Sequence, residues 1–399
     1  MAAFYHLWHD DRLDGKAAYE TIWLEIPSMT TVGATETKAF QSLRNDMEQL
    51  RQDGAGKGIV DSSRVEVGKS TEGRELWALK VGKNPDHKVL FTGCHHAREW
   101  ISVEVPYLVA KYLIDNYSDN PSGEKAKRIK HLVDNREIWF VPMVNPDGHW
   151  HTVVEDRLWR PNRKKYTFDK DETLKAPRFG GGSRTIRIKA GTYQGVDINR
   201  NYPSKNWGKE TPATSRDPMD SARGTWAGPS AGSEVETQLM VSLVGEQKFR
   251  SAISYHNFSQ LLLYPPAAKK DAFTQFVGTG MSQLIDANGN PYQYMSGDDL
   301  YPTTGDMLEY MYEVLPGRPN FVPELRPKDS APLAHYFSGL PEDEIEPTFT
   351  ENLGAALALI NCAGFDRPSA EVTIHWDADT QVGQVVRNCW KVFDGLRLL

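Results

Sequence analysis

Cysteine is scarce in this chain. Its 399 residues include three cysteines, too few for the disulfide framework of a small secreted domain. Cys94 lies beside a candidate metal motif, but a small thiol in an apolar run is more typical of a buried strand residue than of a ligand. Cys362 and Cys389 could pair in an oxidising compartment, and the sequence does not show whether they approach each other.

Long apolar runs and an excess of positive charge are also missing. No apolar stretch reaches membrane-spanning length, and a net charge of −7 gives no sign of nucleic-acid binding. Residues 1–11 lack the basic and then apolar order of a signal peptide. We therefore expect no membrane or nucleic-acid partner and a cytoplasmic location, or secretion if the chain is already trimmed. The sequence leaves the oligomeric state open.

Apolar residues are plentiful, at 39% of the chain, and their spacing indicates the fold class. Helical periodicity predicts helices over 37–53, 99–117, 233–245, 271–287 and 350–360. Alternating or continuous apolar runs predict strands over 64–67, 75–79, 89–94, 138–144 and 251–255, with a turn at 145–148. Strands that alternate with helices favour a sheet covered on both faces. We predict a single α/β domain with a mixed, mainly parallel central sheet.

The motif that carries most chemistry is His96-Ala97-Arg98-Glu99, directly after the predicted strand 89–94. Its imidazole and carboxylate are ligand types that suit zinc. A catalytic zinc needs a third protein ligand and an open position, and His256 at the end of strand 251–255 supplies that ligand. His-x-x-Glu alone is weak, and a strand-end histidine is often a core residue. The case for zinc rests on the further motifs downstream.

These motifs occur in a specific order. Leu158-Trp159-Arg160, Asp197-Ile198-Asn199-Arg200-Asn201, His256, Leu300-Tyr301 with Gly305-Asp306, and Glu324 follow the first motif in turn. In this order the chain resembles the zinc metallocarboxypeptidases of the carboxypeptidase A/B type. The resemblance extends from about Arg64 to about Leu325 and loosely to about Ala363. It implies the zinc carboxypeptidase fold.

The resemblance also implies roles for individual residues. One zinc per chain would be held by His96, Glu99 and His256, with Glu324 as the base. Arg160 would stabilise the oxyanion, and Asn199 and Arg200 would bind the terminal carboxylate of the substrate, over which Tyr301 closes. Arg98 would contact a more distant part of the substrate. Asp197 would hold the ligand His96 in place without itself binding the zinc. The chemistry agrees, because arginine binds carboxylates bidentately and an oxyanion needs a cation.

Two residues bear on substrate preference. Leu308 resembles the floor of the pocket for the terminal side chain, where leucine favours apolar or aromatic residues. Asp306 stands where many relatives have a small residue, and it could hold a basic side chain or cap a helix.

The chain divides into three predicted segments. Residues 1–36 form an N-terminal extension, 37–365 the catalytic domain, and 366–399 a C-terminal extension packed on the domain, with a strand at 372–376. Two segments look inserted, near 161–193 and 326–347. For the first, rich in Arg, Lys and Gly, a solvated loop is favoured over a functional lid.

The function expected from these observations is hydrolysis of the C-terminal peptide bond of peptides or proteins by a zinc metallocarboxypeptidase. Apolar or aromatic terminal residues are the expected preference, with additional basic specificity. One alternative is a zinc amidase or a peptidoglycan-peptide carboxypeptidase. The other is a non-catalytic binding protein on the same fold, although such proteins usually lose a ligand or the base.

Overall fold

The computed structural model describes residues 38–63, 65–221, 224–287, 290–328 and 344–364. The strands are β1 (Val65–Lys69), β2 (Glu75–Gly82), β3 (Lys88–Thr92), β4 (Glu137–Val141), β5 (Lys165–Phe168), β6 (Glu172–Pro177), β7 (Ser183–Ile188), β8 (Gly191–Gln194), β9 (Ser251–Ser254), β10 (His256–Asn257), β11 (Leu261–Tyr264), β12 (Asp286–Ala287), β13 (Asn290–Pro291), β14 (Gln293–Ser296) and β15 (Asn320–Leu325). The helices are α1 (Lys38–Gly56), α2 (Ile101–Asn116), α3 (Gly123–Asn135), α4 (Pro146–Val154), α5 (Val235–Gln247), α6 (Ala272–Leu284), α7 (Gly297–Leu300), α8 (Met307–Val314) and α9 (Ile345–Cys362). Short 3-10 turns lie at Ile198–Arg200, Pro218–Ser221 and Pro266–Ala268.

A mixed sheet forms the centre of the described structure. Its strand order is β1-β2-β4-β3-β9-β15-β11-β14, and β10 also pairs with β15. Neighbours are parallel from β4 through β3 and β9 to β15, whereas β1, β2 and β4 pair antiparallel. Thr92 at the end of β3 lies opposite Ser254 at the end of β9. The segments that leave these two strands therefore start side by side.

Helices cover both faces of this sheet, as the alternation of its side chains shows. In β3, Val89 and Phe91 belong to the larger core, which includes α2 and α9, whereas Leu90 belongs to a second core with α5 and α8. Successive strand residues point to opposite faces, so both sides of β3 are buried. The predicted fold class, with a mixed and mainly parallel sheet between helices, is confirmed.

Most predicted elements of the central sheet and its helices are present with shifted ends. The predicted helix 99–117 begins at Ile101, because Glu99 and Trp100 lie in the turn before it. The prediction missed α3 and α4. Its turn at 145–148 is the start of α4, where the Asn145 side chain accepts a hydrogen bond from Gly148 N and Pro146 occupies the first helical position.

The prediction of a solvated loop for 161–193 was wrong. Two antiparallel pairs, β5 with β8 and β6 with β7, form there. Ala176, Ile186 and Ile188 bury a small apolar cluster between them. Because these apolar residues are few and alternate with Lys, Arg and Thr, composition alone favoured a loop.

Several predictions lie outside the described residues. These are the extensions 1–36 and 366–399, the strand at 372–376, Cys389, and most of the insertion 326–347. Among the helices that are described, none combines the length and apolar character that a membrane span requires.

Candidate active site

Three side chains with metal-ligand chemistry converge beyond the carboxyl ends of β3 and β9. His96 Nδ1 lies 2.7 Å from Glu99 Oε1 and 3.1 Å from His256 Nδ1. His256 Nδ1 lies 2.9 Å from the other oxygen, Glu99 Oε2. All three residues are buried. Strand order explains the meeting, since His96 and Glu99 follow β3 and His256 follows its parallel neighbour β9.

This cluster fits a zinc ion. Two imidazoles and one carboxylate are the ligand set of a class of catalytic zinc sites. Ligand atoms at the usual zinc distances in a tetrahedron lie about 3.3 Å apart, close to the separations observed. Burial alone would raise the pKa of the Glu99 carboxyl, but His96 and His256 hold it well below its usual range. Burial also lowers the pKa of His96, which favours the neutral form that binds metal.

Glu324 lies beside this cluster on the neighbouring strand. In the parallel pairing of β10 with β15, Glu324 is the register partner of His256. Burial raises the pKa of Glu324 to about 7, against the pull of His256, and the charge of Glu99 adds to the rise. A carboxylate with a raised pKa is suited to accept a proton near neutral pH.

A cavity of about 280 Å³ opens onto the cluster. His96, His256, Glu324 and Arg200 all line this space. Metal ligands, a titratable carboxylate and a cation therefore share one cavity, an arrangement typical of an active site.

Arg200 is held by backbone contacts and not by an ion pair among the described residues. Its Nε donates to Ala213 O at 2.9 Å and its Nη1 to Asn199 O at 2.7 Å. Gly305 permits this position, since a Cβ there would lie 2.3 Å from Arg200 O. Asn199 also lines the cavity, and its Oδ1 accepts from Met307 N. The positive charge of Arg200 is available to an anion in the cavity.

Arg160 and Asp197 pair with each other and contact the ligand residues Glu99 and His96. Nε and Nη2 of Arg160 donate to Asp197 Oδ2 at 3.1 and 3.0 Å, and its Nη1 lies 3.6 Å from Glu99 Oε1. Burial by itself would lower the pKa of Arg160, but Asp197 and Glu99 raise it. Asp197 Oδ1 lies 3.3 Å from His96 Nε2, the nitrogen that faces away from the other ligands. Arg160 is not among the described residues that line the cavity.

Tyr301 lines the cavity, whereas Arg98 does not. Tyr301 lines the cavity and is 41% exposed, as a side chain at its mouth would be. Burial of its hydroxyl end and the nearby charge of Glu324 raise the pKa of the Tyr301 phenol. Arg98 does not line the described cavity; its Nη1 donates to Leu158 O, and burial followed by the charge of Arg160 lowers its pKa to about 10.

The specificity candidates Leu308 and Asp306 both line the cavity. Leu308 packs with a small apolar cluster of Leu261, Leu263, Val322, Met295 and Leu300. Asp306 caps α8, because its Oδ1 accepts from Glu309 N at 2.8 Å, and its Oδ2 accepts from the Thr303 hydroxyl at 2.7 Å. Both carboxylate oxygens of Asp306 are therefore already engaged.

Asp298 and Phe179 are among the residues of the cavity that sequence reasoning missed. Asp298 lines it from α7, and burial, followed by the charges of Asp306 and Asp299, raises the pKa of its carboxyl. Phe179, between β6 and β7, also lines it and is 40% exposed. The aspartate pair at 298–299, separated from Tyr301 by Leu300, was a usable signal for the first residue. No local signal pointed to Phe179, since its place depends on how the inserted hairpin folds.

Comparisons with known proteins agree with this geometry. Residues 61–355 match the sequence model of the zinc carboxypeptidases. The chain is 30% identical over 340 residues to metallocarboxypeptidase A of Trichophyton rubrum, covering 81% of this chain and 71% of that protein. It is 28% identical over 303 residues to carboxypeptidase B of Canis lupus familiaris, covering 73% and 63%. Carboxypeptidase A from Helicoverpa armigera shares the fold, with a TM-score of 0.62 at 23% identity over 85% of this chain and 74% of that one.

Proposed function

The chain belongs to the zinc carboxypeptidase family, and from that premise we propose which residues perform the hydrolysis. The protein is a zinc-dependent metallocarboxypeptidase that acts on peptides. His96, Glu99 and His256 hold the zinc, Glu324 is the base, and Arg200 with Asn199 and Tyr301 binds the C-terminal carboxylate. This assignment rests on one observation: the same cavity opens onto the ligand cluster, Glu324 and Arg200.

The chemical roles follow from charge and position. A zinc ion held by His96, Glu99 and His256 would polarise the carbonyl and make water more acidic. Glu324 lies at the cluster and accepts a proton from the attacking water, then passes it to the leaving amine. Arg160 keeps a positive charge beside Glu99 and Asp197, and this charge would stabilise the oxyanion. Asp197 orients His96 through Nε2.

Exopeptidase action follows from the position of Arg200. A substrate's terminal carboxylate that reaches Arg200 in the cavity forms a charge-assisted contact there. Asn199 offers a further polar group there, and Tyr301 at the mouth covers the bound end. The scissile carbonyl, one residue earlier, then lies toward the ligand cluster and Glu324. An amidase that does not recognise a terminal carboxylate would not require Arg200. A non-catalytic binding protein would not require Glu324.

The test compares two forms of one peptide, with a free and an amidated C-terminus. We expect the wild-type protein to release the last residue from the free form only. Arg200→Ala should lower kcat/KM on the free form at least ~100-fold, as loss of a buried charge-assisted contact would. Arg187→Ala, on the exposed face of β7, is the matched control and should leave the rate unchanged. Equal cleavage of both forms would favour the amidase.

The preferred terminal residue is apolar or aromatic, with basic residues also accepted. Leu308, Leu263 and Val322 give the cavity an apolar wall. A buried methylene contributes about 0.8 kcal/mol, so Phe and Leu ends gain from this wall. Because Asp306 is engaged as a helix cap, Asp298 is the carboxylate with more freedom to meet a Lys or Arg end.

A panel of blocked dipeptides tests this preference. Asp298→Asn should lower kcat/KM on Lys and Arg ends several-fold and leave Phe and Leu ends unchanged. Asp299→Asn is the matched control, because Asp299 is adjacent but does not line the described cavity. Equal effects of Asp298→Asn on all ends would remove Asp298 from the specificity pocket.

A further inference from the structure

A third buried histidine lies beside the two histidine ligands and has no part in the hydrolysis described above. His95 directly precedes His96, and none of its surface is exposed. Its ring stacks on that of His256, with centroids 5.5 Å apart and planes inclined by 23°. Both of its nitrogens have partners: Nε2 lies 2.9 Å from the Tyr202 hydroxyl and Nδ1 lies 3.3 Å from Ser254 Oγ.

Ser254 connects this histidine to the ligand. Its Oγ lies 3.3 Å from His95 Nδ1 and also 3.3 Å from His256 Nε2. Ser254 ends β9, two residues before His256, and it is buried. Tyr202, His95, Ser254 and His256 therefore form a continuous chain of polar contacts that leads from the core to the ligand cluster.

Metal binding fixes the direction of every hydrogen in this chain. His256 Nδ1 faces Glu99 and His96, so as a ligand atom it carries no hydrogen, and the hydrogen is on Nε2. Nε2–H then donates to Ser254 Oγ, and the Ser254 hydroxyl donates to His95 Nδ1. A neutral imidazole has one donor and one acceptor, so His95 Nε2–H donates to Tyr202.

The other polar neighbour of His256 Nε2 does not compete for this role. Asn199 Nδ2 is 3.5 Å from it. The Asn199 oxygen accepts from Met307 N, which leaves its NH₂ group facing the ring. A nitrogen that bears a hydrogen cannot accept from that group. Ser254 is thus the acceptor for His256 Nε2–H, and His95 is the group that orients the Ser254 hydroxyl.

We propose that His95 is a positioning residue for the metal centre: through Ser254 it holds His256 in the ring orientation and tautomer that bind zinc. This inference rests on the proposed role of His256 as a ligand. Packing alone would be served by an aromatic hydrocarbon ring at position 95. Polar partners at both nitrogens distinguish His95 from such a filler. Metal-bound histidines generally need a partner on the second nitrogen, and its loss typically weakens metal binding 10–100-fold.

Two substitutions separate the two nitrogens of His95. In His95→Asn the side-chain oxygen lies as many bonds from Cα as Nδ1 and can accept from Ser254. In His95→Gln the amide reaches the place of Nε2 and can meet only Tyr202. The readout is the zinc dissociation constant, measured by competition with a chelator, together with the visible spectrum of the cobalt-loaded protein. We expect His95→Gln to weaken zinc binding about tenfold and to change the cobalt spectrum, and His95→Asn to stay within about threefold of wild type.

Ser254→Ala provides a second route to the same question. If His95 acts through Ser254, His95→Gln should add little to the loss that Ser254→Ala already causes, whereas independent effects would add. Additive losses, or equal zinc affinities of the Asn and Gln variants, would overturn the proposal. Thermal unfolding of the metal-free variants shows whether each one folds. A wild-type protein that binds no zinc would contradict the proposed function itself, which keeps the two failures distinct.

Discussion

Asp46 is a residue whose charge opposes folding. It lies on α1, and its buried Oδ2 has no hydrogen-bond partner among the described residues. Burial raises the pKa of the Asp46 carboxyl to about 7, compared with about 3.9 in an unfolded chain. Between about pH 4 and pH 7 the folded protein therefore retains a proton that the unfolded chain has lost. The ionisation of Asp46 therefore makes the folded state less stable as pH rises through this window.

Replacing Asp46 by Asn should remove that penalty. We expect Asp46→Asn to raise the free energy of unfolding by roughly 2–4 kcal/mol at pH 8 and to change it little at pH 4. Urea unfolding at both pH values, followed by tryptophan fluorescence, measures the difference. Asp53→Asn, which replaces an exposed aspartate on the same helix, is the control for the loss of one carboxylate. An equal effect of Asp46→Asn at both pH values would show that its ionisation is not involved.

At the residue scale, the sequence predicts side chains that belong to motifs. His96, Glu99, His256 and Glu324 each follow an apolar run, and the structure brings all four together. Asp298 and Phe179 were not predicted, because the folding of α7 and of the inserted hairpin brings them to the cavity. Asp306 shows another limit, since its sequence fits either a pocket acid or a helix cap. The hydrogen bond from Glu309 N establishes the cap.

At the scale of elements, the loop before α8 depends on Gly305. This residue has φ +73°, and a Cβ there would lie 2.3 Å from Arg200 O. Gly305→Ala should therefore displace the segment of Arg200 as well as strain its own backbone. We expect a loss of at least about 1–2 kcal/mol in stability and at least a tenfold fall in kcat/KM, mainly through a raised KM.

Gly58→Ala is the matched control for this change. Gly58 has a similar φ, +66°, but nothing lies within 4 Å of an added Cβ, and it is next to α1 in the chain. It should lose a similar amount of stability from strain alone and keep the wild-type KM. If the two variants have the same KM, the close approach of Gly305 to Arg200 does not position the site.

Element prediction succeeded where tertiary packing is strong. The strands β3, β4 and β9 are buried on both faces, and the sequences of β3 and β4 contain the continuous apolar runs that predict such burial. The hairpins between 165 and 194 are mostly exposed, so their sequence carries little apolar signal. Their pairing depends on strand register and on turns such as the glycines at 180–182, which all have positive φ.

At the scale of the whole molecule, strand order assembles the site. The segments after β3 and β9 meet because those strands are parallel neighbours, and β15 adds Glu324 from the next position. The 3-10 turn Ile198–Arg200 then adds Arg200 to the lining of the cavity. The sequence predicted the sheet type and named several residues that line the cavity. The cavity that joins them is defined by the strand order, which the sequence alone did not establish.

The central claim is that His96, Glu99 and His256 hold one zinc that Glu324 serves but does not bind. The most direct measurement is the zinc content of three purified proteins. Wild type should contain about one zinc per chain, and His256→Ala should lose most of it. Glu324→Gln should keep about one zinc while its catalytic rate falls at least ~100-fold. Full zinc retention by His256→Ala, or loss of zinc from Glu324→Gln, would contradict the account.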